Sequence, residues 1–183
     1  MKKIVLTLSV LLVLILALAM TSCGGNTETT TQAPDTTEAP LPAGYTLYDN
    51  GDISFAYPEK LSKTDGSTVI LTDMTTGNNI TVVYEAKTDM YAKMDNNDYA
   101  EQFKPMFEAM GMTIAKYNVE QIKNEKGSSL TKVTHTASVE GISMDQTMLI
   151  TTVGNKTYTV TVTEVVNDDA FVNNVLNSLG LAK

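Results

Sequence analysis

Between Thr113 and Val165 the chain holds four long strand-like runs, and the joints between them are too short to hold anything but a turn. The runs are Thr113 to Lys123, Ser128 to Val139, Ile142 to Val153 and Lys156 to Val165. Asn124 to Gly127, Glu140 with Gly141, and Gly154 with Asn155 join them. Runs of this length bounded by turn residues read as strands. Parallel neighbours would need crossovers of a dozen or more residues, so the four runs form an antiparallel meander. Everything else that folds has to pack against that sheet.

Upstream, Tyr45 and Leu47 and then Ile53, Phe55 and Tyr57 alternate on either side of Asp49, Asn50, Gly51 and Asp52, which reads as a hairpin ended by Pro58. Two further strands are expected at about Thr68 to Thr72 and Ile80 to Glu85, antiparallel by their short connection through Gly77 and Asn78. From Asn97 to Met110 the period becomes helical. Tyr99, Phe103, Met106, Phe107 and Met110 share one stripe, Asp98 and Glu101 have capping-box spacing, and Gly111 stops the helix. Pro105 predicts a kink or a late start. A last helix starts after Asn167 or Asp168, buries Phe171, Val172, Val175, Leu176 and Leu179, and ends at Gly180. Strands with apolar residues on both faces, and helices at two places, predict an α+β domain over residues 44–183 with its sheet covered on each side.

The first 22 residues have a different character. Lys2 and Lys3 precede an apolar run from Ile4 to Ala19, then Met20, Thr21, Ser22 and Cys23, the chain's one cysteine, followed by Gly24 and Gly25. A charged start, an apolar stretch and small residues make a secretory signal. The cysteine after Thr21 and Ser22 resembles the lipobox of bacterial lipoproteins, which implies cleavage before Cys23 and a diacylglyceryl group on its sulfur. Two acyl chains bind a membrane stably where one binds marginally. The expected address is the outer face of the bacterial cytoplasmic membrane. Residues 23–43 read as a disordered tether: Gly24 to Ala43 holds six threonines, three acids and three prolines and no aromatic residue. As a coil it would average about 25 Å end to end.

Without the two leader lysines, eleven lysines face 21 acidic residues, a net charge of −10, and arginine is absent. That balance argues against nucleic acid as a partner and leaves membrane attachment to the acyl group. A lone cysteine allows no internal disulfide. His135 is the single histidine, in step with Val133, Ala137 and Val139; it reads as a half-buried core residue, and no His-based metal cluster can form around it. Ser138 and Ser143 carry no hydrolase motif. Asp95, Asn96, Asn97 and Asp98 offer oxygens for calcium without the spacing of a binding loop, and helix capping explains them better. Met90 and Met94 raise copper as a further alternative, with gap-filling the plainer role. No cofactor is expected.

The aromatic hairpin ending Phe55, Ala56, Tyr57, Pro58, the mid-chain helix, the meander closing on Tyr158, Val160 and Val162, and the last helix with Phe171, Val175, Leu176, Asn177, Ser178 and Leu179 resemble the PsbP-like family. The resemblance implies an α/β/α sandwich around a central antiparallel sheet, a binding or assembly role, and no shared active site. The expected function is a lipid-anchored cell-surface module without catalysis that meets a protein or cell-envelope partner. The alternative is a solute-capturing lipoprotein or an envelope enzyme, which a deep pocket with converging polar groups would favour. The connection between about Ala86 and Asp98 exceeds the usual 4 to 6 residues and carries Met90, Tyr91 and Met94, the candidate partner contacts; the competing expectation is a lid folded on the sheet.

Overall fold

A computed structural model describes residues 41–182; the leader, Cys23 and the tether as far as residue 40 lie outside the described residues. The chain enters through the hairpin β1 (Tyr45–Asp49) and β2 (Ile53–Pro58), paired from Tyr45↔Pro58 to Asp49↔Ser54. Its turn closes on short polar side chains: Asp49 Oδ1 accepts from Gly51 N at 2.8 Å, and Asn50 Oδ1 from Ile53 N at 3.0 Å. Gly51 sits at φ 85°, a conformation glycine takes without steric cost.

The meander is present as β6 (Thr113–Lys123), β7 (Ser129–Val139), β8 (Ile142–Val153) and β9 (Lys156–Glu164). Strands β3 (Ser62–Thr64), β4 (Val69–Thr72) and β5 (Asn79–Ala86) extend it into a seven-stranded sheet of order β3-β4-β5-β9-β8-β7-β6. The second sheet has the order β1-β2-β10, where β10 is Gly180–Leu181. Every neighbouring pair is antiparallel. The domain is therefore α+β and dominated by strand. Two strands carry no sequence signal: β3 is three exposed polar residues, and β10 follows where a helix stop was expected. The last helix, α2 (Asp169–Ser178), ends before Gly180, with Leu179 already extended.

Helix α1 has three consecutive parts, Asn96–Asp98, Tyr99–Phe103 and Lys104–Ala109. Its capping box lies one turn earlier than expected. Asp95 accepts from Asn97 N and Asp98 N, and Asp98 accepts from Asp95 N, so Asp98 is the third residue of the box rather than its cap. The middle part is π-helical, with Lys104 N bonded to Tyr99 O. Pro105 explains it: proline has no N–H to give, and its ring would collide with the carbonyl four residues back. One wide turn carries that carbonyl aside.

Register assigns the two faces of the large sheet. Val82, Val160 and Leu149 lie in one cross-strand row, and Leu71, Ile80 and Val162 in the next. These pack with Phe55 of β2 and with Phe171, Val175 and Leu179 of α2. On the opposite face Met148 pairs with Val133 and Met144 with Ala137, beneath Tyr99 and Phe107 of α1. Each face thus carries a helix, and the β1-β2-β10 sheet shares the first.

The strands also define two ends. Ion pairs tie the hairpin to the large sheet at each: Lys60 to Asp73 at 2.9 Å where the chain enters, and Lys156 to Asp52 at 2.8 Å at the other. The nine residues of β9 separate these ends by about 30 Å.

Candidate functional site

At the end far from the entry point the large sheet divides. β7 and β8 pair from Val139↔Ile142 to Thr131↔Ile150, and there their ladder stops. Both strands run on, β7 to Ser129 still paired with Lys123 of β6, and β8 to Val153 still paired with Lys156 of β9. One bond crosses the gap, from Thr151 Oγ1 to Ser129 O at 3.3 Å. The β6–β7 turn is held aside by α2. Asn124 Nδ2 donates to Leu176 O at 2.8 Å and Leu179 O at 2.6 Å, while Asn124 Oδ1 accepts from Ser128 N at 3.0 Å.

A cleft of about 1040 Å³ opens at this division. The sheet contributes the hydroxyls of Ser129, Thr131, Thr151 and Thr152; Ser54 of β2 and Ser178 of α2 face the same space. Ile122, Leu130 and Ile150 make it partly apolar, and among the described residues the charged ones lining it are Lys123 and Lys126. Two hydroxyls serve the frame. Thr131 Oγ1 lies 2.7 Å from Tyr91 O and 2.9 Å from Gln121 Oε1, and Ser178 Oγ accepts from Ala56 N at 2.8 Å.

One wall is the connection between β5 and α1, with a 3-10 turn at Tyr91–Lys93. Gln121 Nε2 fastens it by donating to Tyr91 O at 3.1 Å and Met94 O at 3.2 Å. This corrects the expectation of three exposed contact residues. Tyr91 and Met94 are buried against α1, and the Tyr91 ring lies 6.0 Å from that of Phe103. Burial, with Glu85 beside it, pushes the Tyr91 phenol well above its ordinary range. Met90 alone faces solvent, 42% exposed. The two methionines therefore do not share one surface site.

Beside the cleft, the Asp52 carboxylate accepts from Lys156 Nζ and from the Tyr158 hydroxyl. Lys156 first and Tyr158 second hold the carboxyl below its usual range. The same ammonium stands 5.0 Å from the centre of the exposed Tyr84 ring. This cluster locks the first hairpin to β9.

His135 is more deeply buried than expected, 2% exposed. Tyr99 Oη is 2.9 Å from Nδ1, Gln146 Oε1 is 2.8 Å from Nε2, and Gln146 Nε2 donates to Thr163 Oγ1 at 3.0 Å. If Nε2 carries the proton, every member of this row has a partner. Burial lowers the imidazole pKa, against smaller opposing effects of Gln146 and Asp145. Ser138 and Ser143 bond each other at 3.2 Å, and Ser138, three residues from His135 along a strand, projects from the other face. Asp95 and Asp98 are engaged in capping, and no group of three metal-ligating side chains occurs among the described residues. No helix among them is long and apolar enough to cross a membrane.

The cleft residues were missed because each fits a strand or turn pattern by itself. The available signal was the run Gly127, Ser128, Ser129 together with adjacent Thr151 and Thr152, where alternation fails at two strand ends that register makes neighbours. No family model and no curated protein match the chain. A crystal structure of a protein from Bacteroides thetaiotaomicron VPI-5482, at 1.50 Å resolution, aligns with it at a TM-score of 0.45 and 13% identity, over 72% of this chain and 45% of that one. The chain thus spans less than half the length of that protein.

Proposed function

We propose that this chain is a lipid-anchored binding module of the bacterial cell envelope, acylated at Cys23, tethered by residues 24–43 and without catalysis. Its domain is a PsbP-like sandwich, a reading supported by the antiparallel sheet with a helix on each face. What it does is capture a ligand in the cleft at the end of the sheet. The cleft itself carries this: ligand sites are concave, partly apolar and of about 300 to 1,000 Å³, and this one, at about 1040 Å³ with hydroxyls from four elements, reaches the top of that range. A binding role also fits the engagement of His135, whose two nitrogens are taken up by Tyr99 and Gln146. The chain enters at the opposite end of the sheet, so a tether joined there leaves the mouth of the cleft unobstructed.

Labelling with an alkyne fatty acid should tag the wild type and not Cys23→Ala, and the wild type should sediment with membranes. A soluble wild type whose mature chain begins elsewhere than Cys23 defeats the anchor. For capture, hydrogen exchange on the lipidated chain should slow at residues 128–131 and 150–152 when cell-envelope extract is added. Unchanged exchange there defeats the cleft as the site.

A further inference from the structure

We infer that helix α1 is an acid-released lid: when His135 takes a proton, α1 lifts from the sheet and uncovers a methionine-rich apolar floor. The buried polar row supplies the trigger. Gln146 Oε1 can only accept, so in the neutral ring Nε2 carries the proton and Nδ1 accepts from the Tyr99 hydroxyl of α1 at 2.9 Å. A further proton lands on Nδ1, the nitrogen turned toward α1, and two donors then face each other. Tyr99 can offer its oxygen instead only by leaving its own proton without a partner, because that hydroxyl makes no second hydrogen bond among the described residues.

The surroundings give the charge little relief. It would lie by the rings of Tyr99 and Phe107, whose centroids are 5.8 and 5.3 Å away; aromatic faces soften a cation without hydrating it. Of the packed elements, α1 keeps Glu101 and Glu108 exposed, the second paired with Lys104 at 3.8 Å. β6 bulges opposite His135 and brings the Tyr117 phenol, with Lys116 exposed. β9 brings Thr163, which Gln146 contacts. Asp145 of β8 projects from the other face of the sheet, where Thr136 Oγ1 donates to it at 2.6 Å. Burial outweighs the help that Gln146 and Asp145 give the charge.

Opening at α1 disturbs the least structure. β7, which carries His135, is paired with β6 on one side and β8 on the other. α1 is hydrogen-bonded to the sheet through side chains, Asn96 Oδ1 to Val119 N at 2.8 Å and Tyr99 to His135. Tyr99 begins the π-helical part, and the far end of α1 leaves through Gly111 at φ 82°, a joint that accepts a changed path. Beneath lie Met112, Met144 and Met148 with Val133, all buried.

Hydrogen exchange on the full chain in neutral detergent, corrected for the intrinsic pH dependence of the rate, reads the opening. The open form titrates like an exposed imidazole, near 6.5, so from pH 7.5 to pH 5.0 protection over 96–110 should fall about tenfold or more while 129–137 and 156–164 keep theirs. Dilute peroxide gives a second readout: Met144 and Met148 should oxidise faster at pH 5.0 by about the same factor, with the exposed Met74 as internal standard. His135→Gln should hold both readouts level. Helix and sheet losing protection together, or an equal fall in the variant, overturns the inference. If His135→Gln does not fold, the wild type decides: α1 opening ahead of the sheet upholds the lid, and joint or absent opening defeats it.

Discussion

Burial keeps His135 neutral, and that choice should appear in the pH dependence of stability. Its folded pKa lies below its unfolded one, so the unfolded chain takes up the proton first as the medium is acidified. The contribution of the neutral imidazole is complete above the ordinary value near 6.5 and is lost as pH falls through the folded value. Urea melts should show the wild type losing stability from pH 7.5 to 5.0, and His135→Gln, which can still donate and accept, losing less. Glu164 works the other way: burial raises its pKa, opposed by the hydrogen bond from Asp168 N and reinforced by the charges of Asp145 and Asp169, so the comparison with the variant isolates the histidine. Equal slopes for both proteins would count against the neutral row. Tyr91 offers a second check. Tyr91→Ala should cost about 3 to 5 kcal/mol, as loss of a buried aromatic does, whereas Met90→Ala should stay within about 0.5 kcal/mol. Similar small effects at both positions would put the wall of the cleft at the surface after all.

Elements whose residues repeat a period were legible, and those held by single long-range contacts were not. Runs such as Ser129–Val139 and Lys156–Glu164 carry many apolar residues at a fixed spacing, and short turns leave them one pairing. The connection around Tyr91 repeats nothing. It is pinned by Gln121 and Thr131, thirty and forty residues away, a fact no local pattern contains. Edge strand β6 shows the same limit. It bulges between Ala115 and Asn118, with Lys116 at φ 50°, and Val119 N is taken by Asn96 Oδ1 of α1 at 2.8 Å. Bulging and capping blunt an eleven-residue edge against pairing with another chain. The cleft was the least legible feature, because it arises from the place where a ladder stops.

At the scale of the whole molecule, the last strand closes on one of the first. Gly180 and Leu181 pair with Ser54 and Ile53, and Leu179, fully buried, sits in the cluster that holds Phe55 and Tyr158. Removing residues 179–183 should therefore destabilise the domain by at least about 2 to 5 kcal/mol, the range for one lost buried leucine. A truncated chain that melts like the full one would make β10 an ornament. The closure also sets a clock. Until residues 179–181 emerge, a growing chain cannot seat the strand that completes its first sheet, and loop closure over so long a span is slow. On the lipoprotein reading proposed above, a fold that cannot finish early would keep the precursor in a state that a translocation channel can accept.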